Sequence, residues 1–226
     1  SVVFLSSIFN DHIYAISSLF TGLIIVAIPM IIKQEKDSIV GQYKNIIFTI
    51  IGIAIVALIT YFNPAAGSEG GLNLSVSGLS IGLGIFVFVA GMIAISAMVL
   101  PGISGSTLLL IFGIYTGIIN AIKEFLTFNF EYVPVLVIFG LGVITGIVST
   151  IKIIKIELKR HRSQMIYLIL GLMIGSLYAV FMGPTTLEVA KPAMNLSTFS
   201  FVYFIIGGAI LLGLEKGKEL LEKKAK

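Results

Sequence analysis

The residues best suited to chemistry lie in one short polar stretch, Pro101–Thr107, between two long apolar blocks. Pro101 has no amide hydrogen and interrupts an ordinary helix, while glycines at positions 102 and 105 permit backbone conformations that other residues avoid. Ser104, Ser106 and Thr107 add three hydroxyl groups, one of which can cap a helix that starts near Thr107. Backbone amides and hydroxyls at the start of a helix suit an anion such as phosphate. A tight turn, with glycines for packing and hydroxyls bonded to nearby carbonyls, is the alternative.

The composition shows what kind of elements must position that stretch. Apolar residues make up 57% of the 226 residues, charged residues only 12%, and the mean hydropathy is +1.08. A soluble domain needs more polar surface, and the apolar blocks have roughly the 17 to 25 residues that cross a hydrocarbon core of about 30 Å. Backbone groups in lipid must be hydrogen-bonded within their own segment, which requires helices. The prediction is an all-α integral membrane protein, a polytopic helical bundle in the cell membrane.

The apolar blocks and the polar segments between them divide the chain into two parts. The predicted helices are 13–32, 45–62, 133–151, 165–182 and 198–214, with a helical hairpin at 79–122. An outer loop, 63–78, separates the first part, 1–62, from the second, 79–214, and a charged tail, 215–226, closes the chain. Ser1–Phe9 resembles the end of a membrane span whose beginning is missing, so we expect an N-terminally truncated chain.

The basic residues give the predicted helices a direction. Of fifteen lysines and arginines, three lie in Lys33–Lys44, five in Lys152–Gln164 and five in the tail. Basic residues concentrate on the cytoplasmic side of membrane proteins, so these three segments, including the C-terminus, are predicted to be cytoplasmic. The stretch 79–122 must then begin and end outside. A re-entrant hairpin explains this better than two full spans, the alternative, because Thr107–Ile122 has only sixteen residues.

Two apolar segments resemble each other at a constant spacing of 153 residues. The matching positions are Ile13–Ile16, Leu19 and Gly22 in one segment and Ile166–Ile169, Leu172 and Gly175 in the other. The charge pattern sends the two segments across the membrane in opposite directions, which is typical of the inverted-topology repeats of secondary transporters. Chance similarity between two apolar helices is the alternative. With a true repeat, we expect the counterpart of the hairpin to precede residue 1.

Two glycine pairs permit close approach between helices. Gly142 and Gly146 form one pair and Gly171 and Gly175 the other, each at the spacing that places both glycines on one helix face. We expect these pairs to pack helices within the chain; self-association into a homo-oligomer stays open.

The residues needed for metal binding or catalysis are missing. The chain has no cysteine, and its two histidines, His12 and His161, lie at the ends of apolar blocks, on opposite sides of the membrane in the predicted topology. A lipid phosphatase needs clustered arginines and histidines or paired carboxylates, and a nucleotide hydrolase needs a phosphate-binding loop. We therefore expect no enzyme activity, no metal or other cofactor, and no nucleic-acid partner.

The segment around the polar stretch resembles a known family. Ala94–Thr107 has the sequence AISAMVLPGISGST and is followed by FGIY at Phe112–Tyr115. This resembles the signature of the bacterial polyprenyl-phosphate transporters, formerly a membrane domain of unknown function, in which a P-G-x-S-G-G-T type motif precedes G-x-Y. The resemblance covers nearly the whole chain. Two departures are that Ser106 replaces the second glycine, and that the first copy of the motif, which the family carries in its other half, is missing.

The resemblance implies a function and a set of binding residues. It implies a flippase that returns undecaprenyl phosphate from the outer to the inner leaflet for cell-envelope synthesis, with a lipid phosphate and membrane lipids as partners. The positions that match the family motif are Pro101, Gly102, Ser104, Gly105, Ser106, Thr107 and Tyr115. A secondary transporter of a small anion and a non-transporting scaffold for envelope synthesis are the alternatives. A flippase predicts a lateral opening beside the motif, a small-anion carrier an enclosed polar cavity, and a scaffold neither.

Overall fold

The computed structural model describes residues 12–62, 80–99, 104–186 and 190–224, and their regular structure is entirely helical. The α-helices are α1 Ile13–Gln34, α2 Lys36–Ile39, α3 Ile46–Tyr61, α4 Ile81–Val99, α5 Gly105–Ile111, α6 Tyr115–Leu126, α7 Val133–Arg160, α8 Arg162–Met182 and α9 Phe201–Lys224. Short 3-10 helices cover Tyr43–Asn45, Phe130–Tyr132 and Gly183–Thr186. The segments predicted at 1–9 and 63–78 lie outside the described residues.

Five of the described helices, namely α1, α3, α4, α7 and α8, are long and apolar enough to cross a membrane. Helices α5 and α6 together have the composition of a sixth span, but their axes are bent by 109°. In α9 only Phe201–Leu214 is apolar before the charged residues begin. The prediction of an all-α polytopic membrane protein is confirmed.

The bundle is organised as three pairs of helices, and in each pair the two helices run in the same direction. In the pair α1/α9, the amide of Ser200 donates to the hydroxyl of Ser18 (2.9 Å), and one turn further along both helices Gly22 lies against the backbone of Phe204. The contact positions increase together along both helices, so α1 and α9 are parallel.

The other two pairs follow the same rule. In α3/α8, the Asn45 amide donates to the Ser163 hydroxyl (2.8 Å), and the Thr49 hydroxyl donates to the Tyr167 carbonyl (2.8 Å). In α4/α7, Gly84 contacts Ile138 at one end. At the other end the hydroxyls of Ser96 and Thr150 lie 2.7 Å apart. Two further contacts lie between them, Phe88 with Gly142 and Met92 with Gly146.

These directions bring the basic segments to one end of the bundle. Helices α1, α7 and α9 end there, and α3 and α8 begin there. The guanidinium of Arg162, at the start of α8, donates two hydrogen bonds to Glu35, which follows α1, over 2.7 and 2.8 Å. This contact lowers the pKa of Glu35 below its ordinary value. We call this end the basic end; its cytoplasmic orientation stays a prediction.

Two helices are longer than their apolar blocks. The predicted connection Lys152–Gln164 is helical apart from His161, because α7 continues to Arg160, and α9 continues through most of the predicted tail to Lys224. No glycine or proline interrupts 152–160, and its lysines, glutamate and leucine are good helix formers. For 152–160 the error lay in treating charge as a sign of irregular structure, whereas the alternating charges of the tail are most simply those of a solvated helix end.

The two glycine pairs pack within the chain, as predicted. A Cβ on Gly142 or Gly146 would overlap the backbone of α4, and one on Gly171 would overlap the backbone of α3. A Cβ on Gly175 would lie 2.9 Å from the Cβ of Val56 on α3. These glycine faces are therefore covered and do not offer a free surface for a second copy.

Candidate functional site

The polar stretch lies where the chain passes from α4 to α5. Pro101 and Gly102 lie outside the described residues. Ser104 has an extended backbone (φ −89°, ψ 126°), and α5 begins at the next residue, Gly105. The chain is therefore not helical at Ser104. This agrees with the predicted interruption of the helix within the polar stretch.

The hydroxyl groups of the stretch are available to a ligand. The oxygens of Ser104 and Ser106 lie 2.7 Å apart and both residues are exposed. Neither hydroxyl donates to a described carbonyl, the Ser104 hydroxyl does not cap α5, and the half-buried Thr107 hydroxyl has no described partner. Because two hydroxyls that share one hydrogen bond retain a second O–H, the pair can donate to an acceptor such as a phosphate oxygen.

Gly105 has a packing role, as the alternative interpretation of the stretch expected of its glycines. It is buried against α4, where a Cβ would lie 2.7 Å from Cγ and Sδ of Met98 and 2.9 Å from the carbonyl oxygen of Ala94. Only glycine lets α5 lie directly on α4. Leu108 then joins the buried cluster of Ala94 and Ala97, which fixes the hydroxyl pair relative to α4.

Tyr115 lies beyond a sharp turn that follows α5, the helix that contains Ser106. Gly113 has φ +70°, a conformation that favours glycine, and Ile114 is completely buried. Tyr115 is the half-buried first residue of α6, and no described hydrogen bond joins it to the hydroxyl pair. Further along α6, Ile118 packs with core residues of α4 and α7. The turn therefore leads the chain back along α4.

The position of the break along the bundle follows from its neighbours. Ser96 lies beside Thr150, which precedes the end of α7 at Arg160 by ten residues, about 15 Å along a helix. Ile59 packs against the cluster beneath α5 and lies about 20 Å along α3 from the basic end. These neighbours place the break roughly 15–20 Å along the helices from the basic end, a distance that includes the charged segment 152–160 of α7.

A hydrogen-bonded chain that the sequence did not indicate joins α7 to α4 near the break. The Thr150 hydroxyl donates to Ser96 (2.7 Å), and the Ser96 hydroxyl donates to the Met92 carbonyl (2.6 Å). Ser96 occurs singly in an apolar block and Thr150 follows Ser149 in another, so only their shared position between two helices reveals the contact.

The described part of the hairpin offers dipoles and no charges. Residues 81–99 and 104–122 contain no Asp, Glu, Lys or Arg, and Lys123 is the first charged residue after them. Within a membrane, non-helical backbone is tolerated only when it is buried in protein or lies beside a watery cavity. The site can thus donate hydrogen bonds to an anion without holding it by an ion pair.

The chain is similar to one family over almost its whole length. A family model described as undecaprenyl phosphate translocase-like matches residues 1–198. A polyprenyl-phosphate transporter of Staphylococcus aureus is 39% identical over 215 residues, which cover 93% of this chain and 72% of that protein. A polyprenyl-phosphate transporter of Vibrio cholerae is 29% identical over 231 residues, which cover 92% and 68%. No solved structure matches the chain. The chain therefore belongs to the undecaprenyl phosphate translocase-like family.

Proposed function

We propose that this chain transports polyprenyl phosphate and moves undecaprenyl phosphate from the outer to the inner leaflet for envelope polymer synthesis. Two relatives that cover most of the chain are named polyprenyl-phosphate transporters. The observation that carries the proposal is the helix break at Ser104, whose exposed hydroxyl pairs with that of Ser106 between two apolar helices. The lipid is moved without chemical change, so the protein is a transporter and not an enzyme.

The hydroxyl pair would serve as a transient site for the phosphate. The hydroxyls of Ser104, Ser106 and Thr107 replace part of the water that hydrates the phosphate. Pro101, Gly102 and Tyr115 also belong to the motif. Hydrogen bonds to a charged partner are worth about 1.5–3 kcal/mol each. Neutral donors bind an anion less tightly than paired arginines do, and a transporter needs binding that is weak enough for release.

The prenyl chain would stay in lipid beside α4. An open, mostly apolar groove of about 430 Å³ lies between α4 and α7 at the end opposite the basic end. Its lining residues are Ser80, Ile81, Gly84, Ile85, Phe88 and Ile138. An open apolar groove suits a lipid tail better than a free small anion. Its nearest lining residue, Phe88, lies about 15 Å along α4 from Met98, which packs beneath the motif, so an opening beside the motif itself stays a prediction.

The helix pairs support an inverted repeat in the proposed domain organisation. At an offset of 153 residues α1 corresponds to α8, and α3 corresponds to α9. The pair α1/α9 thus has α8/α3 as its counterpart. Gly22 lies against the backbone of Phe204 in the first pair, and Gly175 lies against Ile53 and Val56 in the second. Helix α1 ends at the basic end whereas α8 begins there, as inversion requires.

A leaflet-resolved assay in cells tests the proposal. Undecaprenyl phosphate at the outer surface is labelled with an impermeant phosphate-binding probe, with and without expression of the protein. We expect surface labelling to fall on expression and to rise on depletion. Unchanged labelling, or movement of free phosphate in place of the lipid, would contradict the proposal.

A further inference from the structure

Three lysines form a row on one face of the last turns of α7. Lys152, Lys155 and Lys159 are spaced by three and four residues, so they share a face, and all three are exposed. No described residue forms a hydrogen bond or an ion pair with them. Glu157 is two residues from its nearest lysines, on the other face, where it contacts the imidazole of His161 (2.9 Å). The row therefore carries three positive charges without a described counter-charge.

The same face of α7 becomes apolar toward the middle of the bundle. The lysines border an open groove of about 440 Å³ that is lined by α7 residues alone. Its apolar lining residues are Ile147, Val148, Ile151 and Ile156. Val148 is 63% exposed. Gly142 and Gly146, which pack on α4, lie on the opposite face of the helix.

The order of polarity along the groove matches the order within one leaflet. Ile147, Val148 and Ile151 form the end of the groove toward the middle of the bundle, and the lysines begin at Lys152 and extend about 10 Å along the helix to Lys159. Its apolar part lies toward the middle, and its lysines lie at the basic end. A lipid in the leaflet at the basic end has its chains and headgroup in the same order.

We propose that this groove, bounded by Val148 and Lys159, binds an anionic glycerophospholipid of the leaflet at the basic end. The phosphate lies between the ammonium groups, and an acyl chain lies along Val148 and Ile151. Clusters of basic residues at a membrane surface attract anionic lipids, and lysine stems can extend along apolar surface to reach a headgroup. This lipid is distinct from the transported one, because the groove faces away from α4 and its hydroxyl pair.

The absence of tryptophan from the chain allows a direct test. A single tryptophan is placed in the groove by Val148→Trp, or on α9 by Ile205→Trp, where the side chain is also exposed. The protein is reconstituted in vesicles with brominated phosphatidylglycerol or brominated phosphatidylcholine, whose chains quench tryptophan on contact. We expect the tryptophan at 148 to be quenched at a several-fold lower fraction of phosphatidylglycerol than of phosphatidylcholine, and that at 205 equally by both.

Charge variants identify the cause of the preference. Each basic residue near an anionic headgroup contributes roughly fivefold in affinity, so removing three should abolish the preference. Changing Lys152, Lys155 and Lys159 together to Gln should do so. The matched control changes three lysines of the other basic connection to Gln and should leave the preference intact; these are Lys33, Lys36 and Lys44.

Three results would overturn the proposal. If both lipids quench the tryptophan at position 148 equally while all lysines are unchanged, the groove has no preference for the anionic lipid. If the preference for phosphatidylglycerol survives the triple lysine change, a feature other than these lysines causes it. Recovery of fluorescence by stoichiometric polyprenyl phosphate, but not by excess unbrominated phosphatidylglycerol, would assign the groove to the substrate.

Discussion

Replacing Gly142 by Ala should separate α4 from α7. A Cβ at Gly142 would overlap the carbonyl oxygen of Phe88 and lie 3.0 Å from its carbonyl carbon and 3.1 Å from its Cα. All three atoms belong to the backbone, so no side-chain rotation can relieve the contact. Gly140 lies on the same helix and has nothing within 4 Å of the corresponding position. Gly140→Ala is therefore a matched control with the same change in composition.

The difference in the free energy of unfolding between Gly142→Ala and Gly140→Ala measures the cost of the overlap. In both, alanine is about 1 kcal/mol more favourable than glycine within a helix. Overpacking costs about 1–3 kcal/mol, so the free energy of unfolding of Gly142→Ala should be lower than that of Gly140→Ala by this amount. Because α5 lies on α4, the displacement should also reduce transport.

Equilibrium unfolding in mixed micelles measures this difference. The purified variants are titrated with a denaturing detergent, and helix content is followed by circular dichroism. Unfolding free energies that agree within about 0.5 kcal/mol, the usual effect of a neutral surface change, would refute the close approach of α4 and α7.

Backbone strain, ion pairing and topology give further expectations. Gly113→Ala should lower the free energy of unfolding by about 1–2 kcal/mol, since φ is +70° there; a neutral effect in the same titration would exclude this turn. Because the pKa of Glu35 is lowered in the folded protein, its contact with Arg162 stabilises at neutral pH, and that contribution is lost as pH falls through the folded-state pKa. Melting curves of Arg162→Gln and the unchanged protein should therefore converge in acid, and a pH-independent gap would contradict this. In this cysteine-free chain, cysteines at Ser38 and Thr127 should react with an impermeant reagent from opposite sides, whereas labelling from one side would contradict the hairpin.

The helices could be predicted from the sequence, but their partners could not. Apolar blocks place the starts of α1, α3 and α7 within a residue of those observed, because the need to match a membrane fixes where hydrophobicity begins. The end of α7 at Arg160 was missed because a charged helical face and a charged loop have similar composition. Glycines such as Gly142 indicate that some helix approaches closely, yet nothing local identifies α4 as that helix. Pairing depends on the tertiary fold.

The candidate site could be predicted in part. Proline, glycine and hydroxyl residues between apolar blocks indicated the break at Ser104 and its exposed hydroxyls. The packing of Gly105 on Met98 and the contact of Ser96 with Thr150 could not be inferred, because each depends on which faces meet. The sequence grouped Tyr115 with the hydroxyls, and its role in binding stays a prediction.

Transport by reconstituted protein in which both site hydroxyls are removed tests the central claim most directly. The Ser104→Ala, Ser106→Ala double variant is compared with Ser149→Ala, whose hydroxyl donates to the Thr145 carbonyl within α7. We expect the double variant to bind and move polyprenyl phosphate at least roughly tenfold less well, since each hydrogen bond to a charged partner is worth about 1.5–3 kcal/mol. The Ser149 variant should match the unchanged protein, and all three should unfold alike. Normal lipid-phosphate binding by a destabilised double variant would instead show that Ser104–Thr107 is a structural turn.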